Sequence, residues 1–383
     1  MVCPFTLTMG PADNRRMRLL SCALAGATCL LLGACTPRPS LPAPAIGEAT
    51  PANVDTVTAV IDEAWISAAY DADELDSLAV WPDETGGLRL LASAKRSERI
   101  LMFDADSGRQ LQAFGGPGSA EGEFRRPNGL AVFGDLLFVV ERDNHRVQAF
   151  ELPSFRALGS FGATELEVPY GIWLDETAPG ELTAYVTDSF MADFRTGTLP
   201  ARERLAERIK RFHITLDDEG GLDARYLDAF GDTSDEGALR MVESIAGDPA
   251  HGRLLIADED QRVGSTLREY ALDGRFLGRS LPRFEGDAEG IALWECDIDD
   301  GYWIAADQVR PTRFRLFDRR TLAPAGSFSG RRTGFTDGIA LHASASQRYP
   351  DGVLFALHDD RAVAAFDLGE IARSLQLSPA CTQ

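Results

Sequence analysis

The 383-residue sequence predicts an all-β fold, a six-bladed β-propeller. Three observations lead there. A short apolar strand recurs six times along the chain, and a second apolar strand follows each after a polar turn. A third strand then alternates and commonly ends in an aromatic residue. Four short strands repeated every roughly 40 to 50 residues is the sequence form of a propeller blade.

Taken in order, the first strands are 78–81, 129–132, 171–174, 244–247, 290–293 and 338–341. The second strands are 90–93, 137–140, 184–187, 254–257, 302–305 and 353–356. Segments 146–150 and 313–317 typify the third strand, and 111–115 and 157–162 the fourth. The last repeat has no clear fourth strand after Phe366, so the apolar run 54–66 is expected to supply it and close the ring. Residues 199–209 have helical composition and read as an insertion between the third and fourth repeats. The propeller is assigned to residues 54–377.

What precedes it reads as targeting sequence. Met17-Arg18 opens a basic region, 19–32 is apolar, and Leu32-Gly33-Ala34-Cys35 has the form of a lipobox. Residues 1–34 are therefore expected to be a lipoprotein signal peptide, with Met17 as the true start and Cys35 as the lipidated residue. The apolar stretch is short and broken by Gly, Ser and Thr, which argues against a membrane span. Residues 35–53, rich in Pro and Ala, form a tether to a bacterial cell envelope, at the periplasmic face of the outer membrane or the cell surface.

Net charge is −21, and losing the signal makes the balance more acidic, because Arg15, Arg16 and Arg18 leave with only Asp13. Such a surface repels nucleic acid and anionic lipid and favours cations. No nucleic-acid partner is expected, membrane contact runs only through the Cys35 lipid, and a monomer is predicted. Cys296 and Cys381 are the remaining mature cysteines and are able to form one disulfide in an oxidising compartment. There is no CxxC spacing, which disfavours a zinc or redox centre.

Acids recur at matching places in successive repeats. Asp287-Ala288-Glu289-Gly290, Ala306-Asp307-Gln308 and Thr336-Asp337-Gly338 all flank the strands. Acids added at repeat tops point to a cation site where the repeats converge, since calcium takes hard oxygen ligands from carboxylates, amides and carbonyls. Asp248, Asp258 and Asp260, taken singly, are expected to be exposed turn acids. No GxSxG pattern occurs and the five histidines do not cluster, so no Ser, Cys or His nucleophile is indicated.

Two resemblances follow from these residues. Arg126-Pro127-Asn128-Gly129-Leu130-Ala131-Val132 with Asp143-Asn144-His145-Arg146-Val147 resembles an NHL-repeat blade. More broadly, the chain resembles the β-propeller phytases, six-bladed calcium-dependent phosphatases, over about 55–368 and most closely in the second half. Glu243 to Asp248 and Leu255 to Asp260 resemble the family's EGCVADDExGxLYIAEED segment. Asp287 to Gly290 resembles DIEGL, and Gly301 to Gln308 resembles GYLIASSQ. Thr336 to Ile339, Tyr349 to Gly352 and Asp359 resemble the closing TDGI, FPxG and QDG elements.

The resemblance implies that Asp76, Glu243, Glu259, Asp287, Glu289, Gln308 and Asp337 are calcium ligands or their neighbours. It implies that Lys95, Arg96, Arg142 and Tyr170 hold substrate phosphate. The DDPAIW element appears as Asp76-Ser77-Leu78-Ala79-Val80-Trp81, one acid and a proline short, and NNVDVR lacks its aspartate and arginine at 127–132. The expected activity is calcium-dependent release of phosphate from phytate or related phosphoesters, with Ca2+ as the cofactor. Two alternatives are a non-catalytic NHL-like binding module on the envelope and a calcium-dependent lactonase or esterase propeller.

Overall fold

In the computed structural model, residues 59–217 and 219–382 are described. The signal peptide, Cys35, the tether and residues 54–58 lie outside them, so the expectations for those segments are not addressed by the structure. No helix among the described residues is long and apolar enough to cross a membrane.

Six small sheets form the blades of a six-bladed propeller. The first two strands of each blade, which build the site, are Leu75–Pro82 and Leu88–Ala94 in blade one, and Pro127–Phe133 and Leu136–Glu141 in blade two. They are Pro169–Ala178 and Glu181–Asp188 in blade three, and Val242–Asp248 and Arg253–Asp258 in blade four. Blades five and six begin with Ala288–Glu295 and Gly301–Asp307, and with Ile339–His342 and Val353–His358.

Each apolar cluster lies between two neighbouring blades. Leu90, Ala92 and Phe103 of blade one pack with Val353 and Phe355 of blade six, while Leu91 and Met102 face Leu137 and Phe150 of blade two. Successive side chains of a strand point to opposite faces, so a strand packed on both faces reads as an unbroken apolar run. That is why the second strands are the most legible repeats.

The ring closes on the amino-terminal segment, but that segment is divided. Only Trp65–Ile66 pairs antiparallel with Ala362–Asp367 as the fourth strand of blade six. Ala59–Ile61 instead pairs in parallel with Pro324–Gly330, adding a fifth strand to blade five. Between them Glu63 accepts the N–H groups of Arg332 and Thr333 at 2.9 Å and the Thr333 hydroxyl at 2.8 Å. Carboxylate-bound backbone N–H groups hold the crossing from one blade to the next.

The insertion also sits differently from expectation. It lies inside blade three, between Glu181–Asp188 and Ile209–Leu216, and only Arg202–Glu207 forms a helix, of 3-10 type. The third strand of that blade begins at Ile209, which the helical reading had absorbed. After the last strand the chain turns into a helix, Leu368–Leu375, whose first turn is capped by Asp367 accepting the Glu370 N–H at 2.8 Å. A disulfide between Cys296 and Cys381 fixes the end of the chain to blade five.

Candidate metal centre at the channel mouth

The site is made by one backbone device used repeatedly. In blades one to five the first strand carries two residues opposite one of its neighbour: pairing jumps from Leu75–Ala94 to Leu78–Ala92, from Pro127–Glu141 to Leu130–Val139, and from Pro169–Asp188 to Ile172–Val186. The same jump runs from Val242–Asp258 to Ile245–Ile256 and from Ala288–Asp307 to Ile291–Ala305. A β-bulge bends its strand and re-aims a side chain. The first bulged residues are Asp76, Asn128, Tyr170, Glu243 and Glu289, and Asp337 holds the matching place before Ile339–His342 of blade six.

The second bulged residue is Gly or Ser, and the tight approach of neighbouring blades explains why. A Cβ on Gly171 would lie 2.3 Å from the Glu243 carbonyl oxygen, and one on Gly338 would lie 2.6 Å from that of Asp76. The bulge N–H groups find side-chain acceptors: Ser77 donates to Ser93 Oγ at 3.0 Å, and Gly171 to Thr187 Oγ1 at 2.7 Å. Together Asp76, Tyr170, Glu243, Glu289 and Asp337 line a small cavity of about 50 Å³ on the propeller axis. A second ring comes from residues just after the second strands: Lys95, Arg142, Glu259 and Gln308 directly follow theirs, and in blade six Asp360 lies beside Asp337 and Lys95.

Three carboxylates from these rings converge. Glu243, Glu259 and Glu289 each place an oxygen within 4.8 Å of the others. Glu289 is buried, and Glu259 Oε1 is buried with no hydrogen-bond partner. Gln308 Nε2 donates to Glu289 Oε1 at 3.3 Å and to Asp337 Oδ1. Asp287 stands beside them, accepting from Gln261 Nε2 at 2.9 Å.

Burial, then the Asp76 carboxylate, pushes Glu243 up to about 8. Burial and Asp76 likewise raise Asp337 to about 8. Glu259 and Glu289 are raised well above the carboxylate range, by burial first and by Glu243 and Asp337 respectively next. Packed carboxyls either keep protons or take a cation. An unpartnered buried oxygen within an all-oxygen donor set fits calcium, which accepts six to eight such ligands.

The bases are arranged differently from the phosphate cradle expected. Lys95 Nζ lies 2.7 Å from Asp76 Oδ1 and 3.8 Å from Asp337 Oδ2, so it is an internal counter-ion of the acid ring. Burial works to lower its pKa, and Asp76, Asp337 and Glu243 more than reverse that, raising it. Arg96 is exposed and engages Glu74 Oε2 at 2.9 Å and the Asp71 carbonyl at 3.1 Å; none of its hydrogen bonds or ion pairs reaches the ring. Arg142 bonds Asp143 at 2.6 Å and interacts electrostatically with Tyr170. Tyr170 is pushed up to about 12, by burial and then by Glu243, and so keeps its proton.

Asn128 escaped the sequence reading, although it occupies the same register in blade two. It is fully buried, and neither of its amide atoms has a hydrogen-bond partner. Its signal was its place before Gly129, matching Glu289 before Gly290.

The structure also corrects the reading of Asp248, Asp258 and Asp260, which are buried rather than exposed. Asp248 pairs with Arg319 through two 2.8 Å hydrogen bonds, and Asp260 pairs with Arg262 at 2.6 Å. Asp258 accepts the N–H groups of Arg240 at 3.1 Å and Met241 at 3.0 Å and pairs with Arg268 at 3.0 Å. Glu141, Asp188 and Asp307 end the second strands of their blades and do the same for the loop before the first strand. Those acids build the repeat, whereas the residue after each one faces the site's chemistry.

The NHL-repeat model matches residues 124–150, the second blade and its entry. Among curated proteins none matches the chain. Similar solved structures include Kuenenia stuttgartiensis hydrazine synthase, 13% identical over 81% of this chain and 81% of that one, with TM-score 0.48. Another is a nidogen/laminin complex, 15% identical over 72% of this chain and 88% of that one, with TM-score 0.47. The chain is thus a β-propeller carrying an NHL repeat.

Proposed function

We propose that this protein is a calcium-dependent phosphomonoester hydrolase of the phytase kind, acting on phytate or a related phosphoester. The observation that carries the reading is the convergence of Glu243, Glu259 and Glu289 on the propeller axis. Those three, with Gln308, Asp337, Asp76, Asp287 and the unpartnered Asn128 around them, would hold the metal. Calcium bound there supplies charge neutralisation at phosphoryl oxygens and lowers the pKa of water.

The protein's own groups do the rest. Tyr170 keeps its proton at neutral pH and offers an O–H to a phosphoryl oxygen. Arg142 lies beside that hydroxyl and adds positive charge on the side of blade two. Lys95 holds Asp76 and Asp337 in place and offsets part of the ring's negative charge.

The NHL repeat keeps one second reading in play, a binding module whose acid ring serves only stability. Phosphate release from phytate, with calcium and with chelator, decides between them. Calcium-dependent release that chelator abolishes is expected. Release that is absent from both phytate and a simple aryl phosphate, or indifferent to chelator, refutes the hydrolase, and hydrolysis of a lactone instead would reassign the chemistry.

A further inference from the structure

We propose that the cleft beside Arg142, between blades two and three, is a subsite for the planar, apolar leaving group of a phosphomonoester. The inference rests on the reading of the axial site above and narrows its substrate class.

The cleft has a volume of about 350 Å³ and is lined by Arg142, Asp143, His145, Glu167, Val168 and Phe194. That size falls within the range of small-molecule pockets. Arg142 adjoins the axial cavity through its electrostatic interaction with Tyr170, which lines that cavity. A phosphate at the axis and a ring in the cleft would therefore both adjoin Arg142.

Phe194 is the unusual member. Its residue is 56% exposed, although a single exposed apolar side chain alone means little. Here it sits on a turn closed by Thr198 N–H to the Asp193 carbonyl at 2.9 Å and Gly197 N–H to the Phe194 carbonyl at 3.3 Å. Arg262 pins that turn, donating to the Gly197 carbonyl at 2.7 Å while held by Asp260 at 2.6 Å. The aromatic ring is carried by an anchored turn beside a guanidinium.

The charges of the cleft are already matched. Arg142 pairs with Asp143 at 2.6 Å, Glu167 with Arg204, and His145 Nδ1 with the Glu167 carbonyl at 2.6 Å. The lining is thus suited to a neutral group held against Phe194 and Val168. Among the residues that line the cleft the one arginine, Arg142, is already paired with Asp143. Recognition of several phosphates calls for several charge-assisted donors. One phosphate with an aromatic leaving group matches the donors present.

The test compares benzylphosphonate with methylphosphonate, neither of which can be hydrolysed, by calorimetry on the calcium-loaded protein. Wild type is expected to bind benzylphosphonate about tenfold more tightly, the scale of one aromatic contact. The preference should fall to within about twofold in Phe194→Ala and return in Phe194→Tyr, with methylphosphonate affinity the same in all three. Equal binding of the two by wild type, or a preference that survives Phe194→Ala, overturns the subsite while leaving the axial site standing. If neither phosphonate binds, both fall. A benzyl preference without turnover of 1-naphthyl phosphate sinks the hydrolase reading and keeps the subsite.

Discussion

Lys95 separates the two ways of reading the charged groups at the channel mouth. Its ammonium lies 2.7 Å from Asp76, 3.8 Å from Asp337 and 3.9 Å from Glu74, with the side chain only 11% exposed. Lys95→Met keeps much of the stem volume and removes the charge, leaving Asp76 and Asp337 without the counter-ion they share. Removing one partner of a buried pair costs about 3–5 kcal/mol. Protonation of a carboxyl relieves part of this, so the lower end, about 3 kcal/mol, is expected in the metal-free protein at pH 7.5. Urea unfolding in EDTA measures it, and the loss should shrink when calcium neutralises the same carboxylates. A loss below about 0.5 kcal/mol in EDTA, with only substrate affinity weakened, would refute the counter-ion role and restore Lys95 as a phosphate ligand.

Glu243 and Asp337 have folded-state pKa values raised to about 8, above their unfolded values, so the native state binds more protons across that window. Stability of the metal-free protein should therefore fall as pH rises from about 4 to about 8, by at most about 5 kcal/mol per carboxyl. Thermal melts in EDTA that rise with pH would contradict this, and calcium should restore the loss. Arg319→Met strands the buried Asp248 carboxylate and should cost about 3–5 kcal/mol in urea unfolding, equally with and without calcium. Gly171→Ala sets a methyl 2.3 Å from the Glu243 carbonyl oxygen, and calorimetry should show weakened calcium binding alongside a stability loss of about 1–3 kcal/mol.

The blades were legible because burial on both faces turns a strand into an apolar run, as Leu254 to Ala257 and Val353 to Ala356 show. The acid positions were legible because Glu243, Glu289 and Asp337 each precede a Gly or Ser in register, and the structure brings them together. What the sequence did not reveal was the bulge itself, since it falls at the start of each first strand, ahead of the apolar run that marks the repeat. Nor did it distinguish Asp258, which caps a loop and pairs with Arg268, from Glu259 one residue later, which joins the carboxylate cluster. Lys95 and Arg96 looked like one basic pair because adjacency in sequence hides direction: one turns into the ring and the other toward Glu74. The division of the amino-terminal segment between blades five and six depends on Glu63, an acid whose acceptors' role appears only once Arg332 and Thr333 are beside it.

The central claim is that the axial carboxylates hold calcium, and a calcium titration of EDTA-stripped protein at pH 7.5, run in two buffers of different ionisation enthalpy, tests it directly. Displacement of protons from Glu243, Glu259, Glu289 and Asp337 should accompany binding, so the observed heat should differ between buffers. Glu259→Gln combined with Glu289→Gln should weaken that binding by more than about tenfold. Heats that are the same in both buffers, with an affinity unchanged in the double variant, would contradict the claim.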